Sequence, residues 1–246
     1  MSFPKTPMWT DHLIGPRRAA VFDIESPRFV FVFLPDRDGV APRDNSVWTA
    51  LLTQHRIACI CPDGGDAWWS ARVCPTFDTS QSAERYLLDA IVPWALARAG
   101  RPATALALVG IGMGGQGALR LGFKYPARFR VVAAMSAALD HHELHGTGLP
   151  LDEMYATREQ CRQDTAALHV HPANWPATLW FACPPEDRWF RGNDRLHEKL
   201  SALGVPHAVD FSASGGGPTW DSYDRLAAKM MQVLIEGLER EGRRLL

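Results

Sequence analysis

The sequence predicts an α/β fold in which a mostly parallel, doubly wound sheet is covered by helices on both faces. The first observation is five short segments that are apolar throughout, as strands buried on both faces are. They are residues 29–34, 57–61, 105–109, 131–135 and 178–182. The second observation is that amphipathic helical patterns lie between these segments. Strands that alternate with helices are typical of a parallel sheet.

Three helical segments are marked by apolar residues that recur every three or four positions. The first covers residues 87–95 and stops at Gly100, and Pro93 is expected to kink it. The second repeats leucine over residues 196–203. The third forms a long apolar stripe over residues 223–238, which predicts a C-terminal helix.

Residues 137–176 interrupt the alternation, because they are rich in His, Asp, Thr and Pro and contain only short apolar clusters. We interpret them as an insertion over the carboxyl ends of the strands. No linker divides the chain, so we expect one domain over residues 1–246. The five cysteines lie mostly in apolar segments and form no CxxC motif, which predicts buried thiols rather than disulfides or a zinc site.

Composition excludes several classes of protein. Of the 246 residues, 46% are hydrophobic, which excludes a disordered chain. The formal net charge is −1, so no basic field would recruit nucleic acid or an anionic membrane. The longest apolar run is far shorter than the ~20 residues that span a bilayer. Residues 1–7 lack the apolar core of a secretory signal, from which we expect a cytoplasmic protein.

The most informative segment is the strand at residues 105–109, which passes through four glycines into a helix. Gly110, Gly112 and Gly115 match the GxGxxG pattern that brings a dinucleotide pyrophosphate to a helix N-terminus. A nicotinamide site would also need an acidic residue after the next strand, which instead runs into Ser136. The alternative is a nucleophile elbow, GxSxG, with Gly112 at the position of the nucleophile.

Residues 110–119, GIGMGGQGAL, resemble the GxSMGGxGAL segment of the Putative esterase branch of the α/β-hydrolases, which includes esterase D and S-formylglutathione hydrolase. Three further segments are similar to motifs of that family. Residues 62–68 resemble PDGGxSW, residues 91–94 a helix with an internal proline, and residues 125–129 HPxxF. The likeness covers the chain from about Phe29 onward, and it implies the α/β-hydrolase fold and an esterase ancestry.

The same resemblance implies three catalytic positions, two of which carry residues that cannot act there. Gly112 stands at the serine nucleophile, Pro218 at the histidine base and Asp187 at the acid that orients the base. The N–H of Met113 is the implied oxyanion donor, and Asp36 adds a carboxylate to the family's oxyanion loop. Loss of the nucleophile or the base typically costs about 10⁶ in rate. We therefore predict a degenerate triad and a pseudoenzyme.

A ligand pocket is predicted at the same end of the sheet, with core packing as the alternative for its tryptophans. Its candidate lining residues are Asp36, Arg37, Trp68, Trp69 and Trp220. The histidines of residues 140–145 do not match the HExxH metal motif. We therefore expect no metal and no other cofactor.

Several functions remain open. We favour an esterase-family protein that has lost the serine mechanism and binds a small ester or acyl-type ligand at the elbow. The second hypothesis is an active carboxylic-ester hydrolase that uses other groups, such as a water activated by Asp187 or a histidine of the insertion. The third is a scaffold that binds a partner protein. A dinucleotide-binding protein predicts quenching of tryptophan fluorescence by NAD(P)H, and we expect none. Assembly into a homo-oligomer is compatible with each hypothesis.

Overall fold

The computed structural model describes residues 7–212 and 219–244, and a sheet of eight strands forms the centre of this part of the chain. The strands are β1 (Met8–Ile14), β2 (Arg17–Asp23), β3 (Phe29–Leu34), β4 (Ile57–Pro62), β5 (Leu106–Ile111), β6 (Val131–Met135), β7 (Thr178–Ala182) and β8 (Ala208–Asp210). Their order across the sheet is β1-β2-β4-β3-β5-β6-β7-β8. The pairs from β4 to β8 are parallel, whereas β1 with β2 and β2 with β4 are antiparallel. The predicted mostly parallel α/β fold is confirmed.

Helices cover both faces of the sheet. They are α1 (Ser46–His55), α2 (Ala83–Tyr86), α3 (Val92–Ala99), α4 (Gly112–Lys124), α5 (Leu151–Met154), α6 (Arg158–Gln163), α7 (Phe190–Ala202) and α8 (Trp220–Arg243). One hydrophobic core lies between the sheet and α3, α4 and α7, and a second lies between the sheet and α1 and α8. Among the helices that the structure describes, none is long and apolar enough to cross a membrane.

Strand β3 illustrates why the apolar segments were recognisable. Successive side chains of a strand point to opposite faces of the sheet. Val30, Val32 and Leu34 therefore enter the core under α3 and α4, while Phe31 and Phe33 enter the core under α8. All six residues of the strand are buried, so every position is apolar. The five predicted strands all occur, with boundaries that differ by two residues at most.

The first predicted helix is interrupted in an informative way. Its predicted kink is a five-residue π-helical turn, Leu87–Ile91, between α2 and α3. Pro93 lies in the first turn of α3. Because proline has no N–H and its ring crowds the carbonyl four residues earlier, a wider turn directly before it removes this conflict.

A buried ion network attaches the insertion to the rest of the fold. Arg120 of α4 is 2% exposed; its guanidinium pairs with Glu84, and its Nη2 lies 2.6 Å from Oδ1 of Asp164 in the insertion. The Tyr155 hydroxyl donates to the other oxygen of Asp164 at 2.6 Å. Burial alone would raise the pKa of Asp164. The hydrogen bond from His169 and the charge of Arg120 outweigh that effect and hold this pKa well below its usual range. One arginine thus holds two carboxylates from distant segments.

Candidate active site

The turn from β5 into α4 is the sharp strand-to-helix turn that the glycine pattern predicts. Gly112 is the first residue of α4 and has a φ of +52°, a left-handed conformation that glycine adopts without penalty. A Cβ on Gly110 would lie within 3.0 Å of the carbonyl of Gly114, and one on Gly114 would lie within 3.0 Å of the carbonyl of Leu34. Both flanking glycines are therefore needed for the backbones to approach this closely.

A carboxylate from another loop occupies the space beside Gly112. Asp36 follows β3, and a Cβ built on Gly112 would lie closer than 3.0 Å to all three atoms of the Asp36 carboxylate group. Oδ1 of Asp36 accepts hydrogen bonds from the N–H of Met113 and from the N–H of Arg37, both at 2.8 Å. No residue in the described ranges hydrogen-bonds its Oδ2. Asp36 thus stands where a side chain at position 112 would begin.

This arrangement is favourable because the first N–H groups of a helix have no partner within the helix and attract anions. The Met113 N–H, which we predicted to be an oxyanion donor, is instead engaged by Asp36. The carbonyl oxygen of an ester, or a pyrophosphate, could take this N–H only by displacing Asp36.

The ends of three neighbouring strands bring further polar residues to the elbow. Ile111, Met135 and Ala182 are paired across β5, β6 and β7, so the residues that follow them stand side by side. Those residues are Gly112, Ser136 and Cys183. Adjacent strands lie about 4.8 Å apart, so the loop after β7 reaches the elbow through the Ser136 segment. The N–H of Ser136 donates to the carbonyl of Ala182 at 2.8 Å, which locks these two strand ends together.

Asp187 lies in the loop after β7 and is only 5% exposed. Its Oδ1 accepts the N–H of Trp189 at 2.8 Å, but its Oδ2 has no hydrogen-bond partner in the described part of the chain. Burial raises the pKa of the Asp187 carboxyl, and the negative charge of Asp36 acts in the same direction. Pro218, predicted at the position of the base, lies outside the described residues.

A family model described as Putative esterase matches residues 45–236, which is most of the chain. The chain belongs to the Putative esterase family. No curated protein matches it in sequence.

Solved structures of other proteins, among them S-formylglutathione hydrolases, share the fold of this esterase-family chain. The S-formylglutathione hydrolase of Staphylococcus aureus is 12% identical with a TM-score of 0.77, over 94% of this chain and 98% of that one. The S-formylglutathione hydrolase of Agrobacterium tumefaciens is 14% identical with a TM-score of 0.75, over 98% of each chain. MPT51 (FbpC1) of Mycobacterium tuberculosis is 17% identical with a TM-score of 0.70, over 92% of this chain and 98% of that one. At these identities the likeness establishes the α/β-hydrolase fold.

The predicted pocket tryptophans of this esterase-family chain differ in their surroundings. Trp68 and Trp69 are 2% and 0% exposed and belong to the hydrophobic core, which was the alternative interpretation. The Trp69 ring fills the space beside Gly64 and Gly117, where a Cβ would approach it within 3.0 Å. Trp220 is partly buried against other aromatic rings of the second core.

The side chain of Arg37, a predicted pocket residue, points away from Asp36. Its guanidinium donates to Asp66 at 2.6 Å, so Arg37 hydrogen-bonds Asp36 only through its backbone N–H.

The cysteines of the chain are buried thiols. All five cysteines are free and buried, as predicted. Burial raises the pKa of Cys183 far above its ordinary value. This thiol therefore lacks the thiolate form that a cysteine nucleophile requires.

The sequence missed two features of the site. The departure at Asp36 predicted a negative charge near the oxyanion donor, but not that the carboxylate fills the space beside Gly112. Ser136 was noted only as a serine that follows a strand; its φ of +47° and its buried hydroxyl, which has no hydrogen-bond partner among the described residues, were not predicted.

The histidines of the insertion do not form a shared site. His141 is 1% exposed and stacks on Trp68 with ring centroids 4.8 Å apart, while Nε2 of His145 contacts the carbonyl of Tyr155 at 2.9 Å. Within residues 7–212 and 219–244, no three His, Cys, Asp or Glu side chains are grouped to hold a metal ion.

His141 is expected to make the fold sensitive to mild acid. Burial lowers its pKa to about 4, whereas the unfolded chain takes up this proton near pH 6.5. Stability is therefore complete above pH 6.5 and falls as the pH is lowered towards 4, by about 2 kcal/mol at pH 5. Urea unfolding at pH 8 and pH 5 measures the loss. His141→Phe, which keeps a ring against Trp68, should lose correspondingly less stability, and an equal loss in both proteins would contradict the expectation.

Proposed function

We propose that this chain is an esterase-family protein that has lost the serine mechanism and serves as a binding protein at its elbow. Gly112 offers no nucleophile at the position that the family resemblance assigns to serine, and Pro218 offers no base. Loss of either group typically costs about 10⁶ in rate, and loss of both is scarcely worse, because they act as a unit.

The observation that carries the proposal is the Asp36 carboxylate on the N–H of Met113. Ester hydrolysis by this mechanism needs backbone donors that await a developing negative oxygen. Here a negative oxygen of the protein itself already holds the donor. The space of the nucleophile and the donor of the oxyanion hole are thus both taken by one side chain.

The chemical class of the ligand is limited by Asp36. The family resemblance implies an ester or acyl-type ligand, but its carbonyl oxygen would compete with Asp36 for Met113. A carboxylate at a helix N-terminus is a strong competitor for a neutral carbonyl. We therefore propose that a small ligand binds beside Asp36, which forms part of the binding surface, rather than in its place.

Hydrolysis assays on the purified protein test the proposal. We expect no turnover of short-chain nitrophenyl esters above the rate of buffer and no labelling by a fluorophosphonate. We expect labelling in the triple variant Gly112→Ser, Pro218→His, Asp36→Gly, and much less in the variant that keeps Asp36. Turnover by the wild-type protein would contradict the proposal.

The other two hypotheses have less support from the site. The raised pKa of Asp187 would suit a base, but its carboxylate is buried and the N–H of Trp189 already occupies Oδ1, so only Oδ2 is left to take a proton from a water molecule. If wild-type turnover were found, its loss in Asp187→Ala would favour the unorthodox hydrolase. The scaffold hypothesis stays a prediction, and elution as a monomer without a captured partner would weaken it.

A further inference from the structure

The elbow site contains two carboxylates that form no ion pair with a described basic residue. Neither Asp36 nor Asp187 takes part in an ion pair within residues 7–212 and 219–244. The nearest basic side chains in sequence form other contacts: Arg37 pairs with Asp66, and the exposed Arg188 lies over the ring of Trp189, 4.4 Å from its centroid. From there the charge of Arg188 lowers the pKa of Asp187, against the effect of burial. Residues 213–218, ASGGGP, contain no ionisable side chain.

The two carboxylates differ in their burial and in the number of hydrogen-bond donors that they receive. Asp36 receives two backbone N–H groups on Oδ1 and is partly exposed to solvent. Asp187 receives one N–H on Oδ1, while its Oδ2 is buried without a donor. A buried carboxylate oxygen without a donor is costly, and natural proteins rarely leave one unless a ligand or an ion completes it.

Ser136 provides an independent indication of a missing ligand. Its side chain is fully buried, and its Oγ has no hydrogen-bond partner in the described part of the chain. The hydroxyl is close enough to Asp187 to lower the pKa of that carboxyl, against the effect of burial. Asp187 and Ser136 thus each hold a buried side-chain oxygen without a hydrogen-bond partner among the described residues.

We propose that the ligand of this site carries a cationic group, such as a protonated amine, which donates to Oδ2 of Asp187 and is attracted by Asp36. The inference rests on the proposed function, because it assigns a ligand class to the same non-catalytic site. An ammonium group has three donors and no acceptor, so it matches carboxylate and hydroxyl oxygens. A carboxylate ligand would meet two like charges.

Binding of three linear probes of similar size tests the charge preference. We would titrate the full chain with n-butylammonium, n-butanol and n-butyrate at pH 7.5 and follow amide and tryptophan indole shifts by NMR. We expect n-butylammonium to bind at least about tenfold more tightly than n-butanol, and n-butyrate to bind more weakly than both.

Matched variants connect the preference to the two carboxylates. Asp187→Asn and Asp36→Asn keep the size and an acceptor oxygen but remove the charge, and each should reduce the ammonium preference by about tenfold. Asp38→Asn, an exposed change in the same loop as Asp36, should leave it unchanged. Equal binding of the ammonium and the alcohol, tighter binding of n-butyrate, or no binding of n-butylammonium would overturn the inference. Failure of the proposed function is seen separately, as ester turnover or fluorophosphonate labelling of the wild-type protein.

Discussion

Replacing Gly112 with serine is expected to lower the free energy of unfolding by about 3 kcal/mol, or roughly 6–12 °C in melting temperature. Two effects add. A side chain at a φ of +52° costs on the order of 1 kcal/mol. The new Cβ would also lie within 3.0 Å of the Asp36 carboxylate, which must leave the N–H of Met113 to make room. A serine at position 112 would thus weaken the fold.

Gly100→Ser separates these two effects. Gly100 follows α3 with a φ of +60°, and a Cβ there would meet nothing within 4 Å. This control therefore reports the conformational cost alone, about 1 kcal/mol. Adding Asp36→Gly to Gly112→Ser should recover most of the remaining loss, as thermal unfolding of the four proteins would show. If Gly112→Ser were no less stable than Gly100→Ser, the close contact between Asp36 and position 112 would be refuted.

Replacing Arg120 with methionine is expected to lower the free energy of unfolding by about 3–5 kcal/mol, or roughly 6–20 °C in melting temperature. The arginine is 2% exposed and neutralises Glu84 and Asp164 together, so its removal leaves the buried carboxylate of Glu84 and the partly buried carboxylate of Asp164 short of a partner. Arg120→Lys should fall between methionine and the wild type, because an ammonium cannot bridge both carboxylates as a planar guanidinium does.

The pH dependence of Arg120→Met distinguishes lost charge pairing from lost packing. Burial acts to raise the pKa of Glu84 and of Asp164. Hydrogen bonds and the positive charge of Arg120 outweigh burial and hold both pKa values below their ordinary values. Such carboxylates stabilise the fold above the unfolded pKa of about 4 and lose this contribution as the pH falls through the folded pKa. The deficit of the variant should therefore shrink as the pH is lowered from 7 towards 3. A deficit that stays constant would point to packing alone, and Arg162→Met, on an exposed pair, should match the wild type at every pH.

The buried strands were predictable because burial on both faces of the sheet requires apolar residues at every position. Every residue of Phe29–Leu34 is apolar, since both faces of that strand are covered. The hairpin of β1 and β2 was not predicted. β1 is an edge strand with polar residues among its apolar ones, and Leu13 is 70% exposed, so no clear pattern marks it. Helix α1 was missed for a similar reason, because Val47 faces solvent while Trp48 is buried.

The sequence alone predicted the family motif, the turn at Gly112 and the absence of a nucleophile there, because a missing side chain is visible without coordinates. Only the tertiary structure showed which side chain fills the space beside Gly112. Asp36 and Met113 are 77 residues apart in the chain, and their hydrogen bond exists because parallel β3 and β5 bring the loop after one strand to the helix after the other. The unpartnered oxygen of Asp187 is likewise a property of its surroundings. Local pattern specifies elements, whereas the partner of a polar atom depends on which distant segments pack against it.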